Sequence, residues 1–331
     1  MRSLRAATAL VAGCLALSGL AGCADSSGST PAGSGGPTEL SLAIQPWLGY
    51  GAWYIAQDQG YFSANGLDVR LDDFEADADM VAALVAGRVD ALNVAAHTAL
   101  RLAQTEGVDI RIVLLEDAST TADAIITTGA INSVAELRGQ EVAYEEGTTS
   151  DLLLNFALAQ AGLSVDDIVK VPMGAAEAGA ALLAGHVPAA VTYEPYITEA
   201  KAADPAVRSI FEASAQQGLI SDVLVVRADV LEQKGAAVKA LLKSWGQAVD
   251  FYNADLTQGR AIIARGVGEE PEALASAFDG VHFFDLSQNR VELTGDYVNR
   301  VLPQIAVAAQ AAGLLDISDQ SLDVVDPSYL D

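Results

Sequence analysis

Cysteine is almost absent. The 331 residues hold two, Cys14 and Cys23, both close to the amino terminus. Everything after position 23 is therefore without disulfides, thiolate metal sites or a thiol nucleophile. Positive charge is scarce too. Eighteen Lys and Arg face 44 Asp and Glu, a net charge of −26, or −28 once Arg2 and Arg5 are removed with a leader. Such a chain has no long-range attraction for nucleic acid or anionic lipid. The body has three histidines, His97, His186 and His282, and none lies within metal-ligand spacing of another. No metal and no cofactor are expected. After Cys23 no apolar run approaches the roughly 20 residues that a membrane helix needs.

What is present begins with an export signal. Arg2 and Arg5 precede an apolar run from Ala6 to Gly19, broken only by Thr8 and Ser18. The run is short for a bilayer span and fits the apolar region of a signal peptide, read here as residues 1–22. Leu20-Ala21-Gly22-Cys23 follows and resembles the bacterial lipobox. That resemblance implies cleavage before Cys23 and a lipid on its thiol. Residues 23–38 are then a lipidated cysteine and a tether of small and polar residues, reaching about 20 Å. The expected location is extracytoplasmic, on the outer face of a bacterial cell membrane, held by the lipid alone.

The body alternates short apolar strands with helical stretches. Leu40 to Gln45, Val69 to Phe74, Val89 to Val94 and Ile110 to Leu115 read as strands, Asp79 to Ala86 and Thr98 to Glu106 as helices. This alternation predicts α/β layers with mostly parallel sheets. An internal repeat sharpens it. Leu84-Val85-Ala86-Gly87-Arg88-Val89-Asp90-Ala91 matches Leu182-Leu183-Ala184-Gly185-His186-Val187-Pro188-Ala189, each a helix end, a glycine and a strand. Two similar lobes follow: 39–122 with 223–331, and 123–222. The runs Asp123 to Thr128 and Ser221 to Arg227 are expected as a crossing hinge pair. The tail supplies helices for the first lobe, one over Ala236 to Asn253 and one over Leu293 to Ala312 with a kink or break at Pro303.

Ligands of open α/β sheets bind beyond the carboxyl ends of the strands. The repeat therefore nominates four facing loops: Trp47 to Tyr50 with Gly49, Ala95-Ala96-His97-Thr98, Gly147-Thr148-Thr149-Ser150, and Tyr193-Glu194-Pro195-Tyr196. Counted from Gly87 and Gly185, Ala95 pairs with Tyr193 and Ala96 with Glu194. Gly147 to Ser150 opens a helix, and its hydroxyls and N–H groups suit an oxyanion or simple capping. His97 and Thr98 open another. Trp47, Tyr50, Tyr193 and Tyr196 are loop aromatics that suit a pocket wall. Glu194, Asp123 and Asp222 can pair with a cationic group or serve hinge hydrogen bonds.

Trp47-Leu48-Gly49-Tyr50, Trp53-Tyr54-Ile55-Ala56 and Gly60-Tyr61-Phe62 are similar to the opening signature of nitrate/sulfonate/taurine-type substrate-binding proteins. Gly87-x-Val89-Asp90-Ala91, Ala122-Asp123-Ala124-Ile125, Gly147-Thr148 and Tyr193-Glu194-Pro195 resemble later features of that family, so the likeness covers about 40–230. It implies a type II periplasmic-binding-protein fold, two lobes joined by two crossing segments, C-terminal helices on lobe 1, and hinge closure on a small solute. It also implies an ABC permease and ATPase as partners, with the binding protein a monomer. The expected cargo is a sulfonate or taurine-like solute; an amino-pyrimidine thiamine precursor or another amine-bearing heterocycle is the alternative. The same superfamily holds a pyrimidine-precursor synthase that consumes an active-site histidine and holds pyridoxal phosphate on a lysine. Three histidines, and lysines that begin only at Lys170, speak against that enzyme. No catalytic residue is therefore expected. A lipoprotein that senses solute for a signalling receptor is a third class.

Overall fold

The computed structural model describes residues 36–331, apart from 75, 106–107, 276 and 317–322. The leader, Cys23 and the tether up to residue 35 lie outside the described residues. The chain enters the fold at β1 (Thr38–Ile44), so the strand begins two residues earlier than the apolar run suggests and claims the last residue given to the tether. The first stretch continues through α1 (Gly51–Asp58), α2 (Tyr61–Ala64), β2 (Leu67–Asp73), α3 (Asp77–Val85), β3 (Ala91–Ala95), α4 (Ala96–Ala103) and β4 (Ile110–Ser119). The second holds β5 (Asp123–Thr128), β6 (Glu141–Tyr144), α5 (Thr149–Gln160), β7 (Val169–Pro172), α6 (Ala175–Leu183), β8 (Ala189–Tyr193), α7 (Tyr196–Ala203) and β9 (Val207–Glu212). The chain then returns through β10 (Ser221–Arg227), α8 (Ala228–Ala254), α9 (Leu256–Val267), β11 (Val281–Phe283), α10 (Leu286–Glu292) and α11 (Leu302–Ala311).

Two sheets result, ordered β11-β4-β10-β3-β1-β2 and β7-β6-β8-β5-β9. The repeat is visible in their registers. Leu42 and Ala43 of β1 face Ala91 and Leu92 of β3, as Val142 and Ala143 of β6 face Ala189 and Ala190 of β8. On the other side of β3, β10 pairs Asp222 with Ala95; on the other side of β8, β5 pairs Asp123 with Tyr193. Asp222 and Asp123 thus hold equivalent places in the two lobes.

Parallel pairing is confined to β2-β1-β3 and β7-β6-β8, the strand-helix-strand halves. The other pairings are antiparallel, so the sheets are mixed rather than mostly parallel. The reason is chain direction. β1 and β3 end at the cleft, whereas β10 and β5 begin there after crossing from the other lobe and must run back. The strands expected to cross lie wholly within one sheet each. The crossings are the shorter links 120–122 and 213–220, joined by Ser214 N donating to Thr120 O at 2.6 Å and Ser119 N donating to Ile220 O at 3.0 Å.

Gly87 and Gly185 close α3 and α6 with φ of 69° and 70°, left-handed values that glycine adopts without a Cβ penalty. A Cβ at Gly185 would meet open space, while one at Gly87 would strike the Arg227 guanidinium. Gly185→Ala is expected to cost about 1–2 kcal/mol from backbone strain alone, and Gly87→Ala more, as urea unfolding of the two variants would show.

The tail helix expected over 236–253 is the second part of α8, which starts at Ala228 and kinks at Lys234 (φ −125°, ψ 23°). There the Lys234 ammonium reaches Glu39 O at 3.0 Å and Asp90 Oδ1 at 3.1 Å. Pro303 does not kink a long helix. It sits at the start of α11, directly after a π-helical turn at Tyr297–Val301 with helical backbone on both sides, where the hydrogen-bond ladder changes register. Helices α8, α9 and α10 cover the first sheet's side; α11 packs against both α4 and α5 and so touches both lobes. Among the described residues no helix is long and apolar enough to cross a membrane.

Candidate functional site

The strand ends that face one another across the crossings enclose a cavity of about 260 Å³. The link after β1 brings Gln45, Pro46 and Trp47, then Tyr50 at the start of α1. Trp47 is half-buried in extended backbone (φ −113°, ψ 137°), which throws its ring across the cleft. There it meets Tyr193 edge-on, with ring centroids 5.8 Å apart; Tyr193 in turn meets Tyr196 at 5.6 Å. The first residue of α3 adds Asp77 and the last of β3 adds Ala95. From the second lobe come Glu145, Thr148 and Thr149. The second crossing contributes Ile220, and the strands that start beside the crossings, β5 and β10, contribute Asp123 and Asp222.

Eight of the residues expected from the sequence line this cavity: Trp47, Tyr50, Asp123, Thr148, Thr149, Tyr193, Tyr196 and Asp222. Seven stand behind it. Gly49 has a steric role, since a Cβ there would collide with the Asp117 carboxylate and the Trp47 indole nitrogen. Ala96, His97 and Thr98 are buried in the first turn of α4, and His97 approaches the backbone of Gly147 in the opposite lobe. Burial, and then the Arg101 guanidinium, press the His97 pKa down to about 4, so it is neutral at pH 7. Gly147 N donates to Asp151 Oδ2 at 2.9 Å, and Ser150 N donates to Thr148 Oγ1 at 3.3 Å. Two amides that would greet an oxyanion are thus spent on the protein's own oxygens. Glu194 is turned away from the cavity, accepting Thr198 N at 2.9 Å and the Thr198 hydroxyl at 3.0 Å.

Five lining residues are not among those expected from the sequence: Gln45, Pro46, Asp77, Glu145 and Ile220; Ala95 stands in one of the expected loops, where the glycine count pairs it with Tyr193. Glu145 and Gln45 each directly follow a first strand, two residues before the loops at Gly147 and Trp47. Asp77 follows a second strand, a position that the reading left out.

The lining is strongly acidic. Four carboxyls, of Asp77, Asp123, Glu145 and Asp222, line the cavity, and no Lys or Arg does among the described residues. Burial raises all four. Asp123 is pushed up to about 7 by burial and by Glu194, with Ser119 opposing. Asp222 goes well above the carboxylate range through burial, then through Asp117 and Asp123. Asp117 faces Asp222 across β4 and β10 and is raised by burial and by Glu116, so each of the two acids disfavours the charge of the other. For Asp77, burial outweighs Arg101 and Gln45; for Glu145, burial is reinforced by Asp77. Among the described residues no group of three or more His, Cys, Asp or Glu is arranged to hold a metal ion.

A family model described as "NMT1/THI5 like" matches residues 49–255. A protein of Escherichia coli strain K12, whose name places it among aliphatic sulfonate-binding proteins, is 30% identical over 209 residues. That match takes in 62% of this chain and 65% of that protein, slightly under two thirds of its length. The crystal structure of the periplasmic aliphatic sulphonate binding protein SsuA from Escherichia coli superposes with a TM-score of 0.70 at 24% identity, covering 88% of this chain and 96% of that one. A structure described as the desulfurization enzyme DSZB superposes with a TM-score of 0.65 at 15% identity, covering 88% and 97%. The two-lobed periplasmic-binding-protein fold is thereby shared with proteins named as binders and with one named as an enzyme.

Proposed function

Since the chain belongs to the NMT1/THI5-like family, we propose that it is the extracytoplasmic solute-binding component of an ABC importer, capturing a small polar solute between its two lobes. The observation that carries this reading is the cavity itself. Equivalent strand ends from both lobes line it, and an aromatic contact from Trp47 to Tyr193 bridges it. A solute held by both walls favours the closed form, since it gains contacts there that one lobe cannot give. The hydrogen-bonded crossings at Thr120 and Ser214 are the hinge about which the lobes turn. The closed surface is then what a permease and its ATPase read. Cys23 carries a lipid that keeps the protein at the outer face of the membrane, and the binding unit is a monomer. The site takes and releases its solute without making or breaking bonds.

The relatives' names suggest a sulfonate. A taurine-like zwitterion also brings an ammonium, for which the acids of the lining are suited; a simple alkanesulfonate does not. The test is titration calorimetry on the full chain with whichever solute gives the largest thermal shift in a panel of sulfonates, taurine, amines and amino-pyrimidines. Trp47→Ala removes the aromatic bridge and is expected to weaken that solute by at least about tenfold, or 1.4 kcal/mol. Unchanged affinity in Trp47→Ala would remove the cavity from consideration.

A further inference from the structure

We infer that the solute presents a protonated nitrogen to this cavity, so that the site is built for a small organic cation rather than for a bare sulfonate. The inference deepens the binding-protein reading and rests on it. Its first support is the charge of the walls. Asp77, Asp123, Glu145 and Asp222 come from different elements of both lobes and converge on one cavity, with no basic side chain among the described lining residues. Four surface acids would mean little. These line one cleft between the lobes, where a like-charged solute is repelled in a medium that screens less than bulk water.

The second support is independent of charge counting. Asp123 is 4% exposed, and its Oδ2 has no hydrogen-bond partner among the described residues, although the residue lines the cavity. A buried carboxylate oxygen without a donor is costly, and an N–H of the solute supplies that donor. Asp222, its equivalent on β10, is 5% exposed and lies opposite Asp117, whose charge opposes its ionisation. Asp123 has the Ser119 hydroxyl beside it, and its Oδ2 is left over for a new partner.

Third, the rings of Trp47, Tyr193 and Tyr196 form a connected aromatic wall beside these acids. Their faces attract a cation and repel an anion. Fourth, the place where an oxyanion would be expected, the N-terminus of α5, has its Gly147 and Ser150 amides committed to Asp151 and Thr148. Arg101, on α4, stands near Gly147 and His97, outside the lining.

Proton coupling follows. Asp123 is faced by Glu194 and Tyr193 at the end of β8, by Asp222 of β10 and by Asp117 and Ser119 of β4. No basic group stands among these. A cation that docks on Asp123 favours its ionised form and expels a proton near neutral pH. Affinity for the cation then rises as pH rises from about 5.5 to 8.

The experiment is titration calorimetry of the full chain with shape-matched compounds: benzylamine and butylamine, benzyl alcohol and butanol, benzenesulfonate and butanesulfonate. The amines are expected to bind at least tenfold tighter than the alcohols, more tightly at pH 8 than at pH 5.5, with protons released. Asp123→Asn is expected to lose at least tenfold for the amines and little for the alcohols. Glu145→Gln, at a half-buried position, should lose affinity in the same direction. A sulfonate that binds tighter than its amine, or gains affinity in Asp123→Asn, overturns the cation inference and leaves the binding-protein reading standing. Failure of all six compounds, and of every solute in the thermal-shift panel, to bind overturns both.

Discussion

Trp53→Ala is expected to lower the unfolding free energy by at least about 3–5 kcal/mol, the range for removing a buried large aromatic. Trp53 is wholly buried, with Trp245 at 4.8 Å and Phe62 at 6.2 Å between ring centroids. Its indole N–H is shared between Asn93 Oδ1 at 2.8 Å and Glu116 Oε1 at 2.7 Å. Glu116 is 0% exposed and raised by burial, which the Trp53 hydrogen bond partly offsets. Deleting the ring therefore opens a cavity and also strips a buried carboxyl of its donor. Trp53→Phe separates the two effects. It refills most of the volume but leaves Asn93 and Glu116 without the N–H, and should cost about 1–3 kcal/mol. Urea unfolding at pH 7 measures both. Equal losses in the Ala and Phe variants would mean that the hydrogen bond, not the packing, holds α1 to the sheet.

The network matters for the site because Glu116 adjoins Asp117, and Asp117 lies over Gly49 at the foot of the Trp47 to Tyr50 loop. That linkage was not legible in the sequence. The apolar run of β4 reads as ending at Leu115, since Glu116 and Asp117 interrupt it. In the structure the strand continues to Ser119 with both acids buried. Propensity and hydrophobicity end a strand at charged residues; here the pairing of β4 with β10 and β11 carries the strand through them.

What was legible followed from geometry repeated in the chain. The glycine corners at Gly87 and Gly185 fix where a helix ends and the next strand begins, and the loops after those strands follow by counting. What counting cannot give is the facing of a single side chain. Tyr193 and Glu194 are adjacent, yet one lines the cavity and the other turns to Thr198. Nor can it give competition within a loop. Gly147 looked like an anion cradle until Asp151, four residues on, claimed its N–H. The antiparallel course of β5 and β10 was hidden for a different reason: a strand's direction depends on the edge at which the chain enters the sheet, which no local pattern records.

Asp123→Asn is expected to stabilise the solute-free protein at pH 8 and to do so progressively less as the pH falls. The sign follows from proton linkage. Burial, with Glu194 adding, raises Asp123 to about 7, against about 3.9 for an aspartate in the unfolded chain. Between those values the folded state keeps a proton that the unfolded state has released. This group's contribution to stability is therefore undiminished below about pH 4, declines as pH rises towards 7, and stays lost above it. At about 1.4 kcal/mol per tenfold change in acidity, the cost of an ionised Asp123 approaches ~4 kcal/mol at pH 8. Asparagine keeps the shape and carries no charge, so the gap between variant and parent should close towards pH 4, where both are neutral. Thermal or urea unfolding at several pH values reads this difference directly. A gap that does not change with pH would mean that Asp123 is not the titrating group. A protein that tolerates such a cost beside its own crossing segment sacrifices stability for what the carboxylate does when the cleft is filled. A bound amine should therefore narrow the gap at pH 8 by stabilising the parent more than the variant, since it interacts with the charge that the free protein struggles to hold.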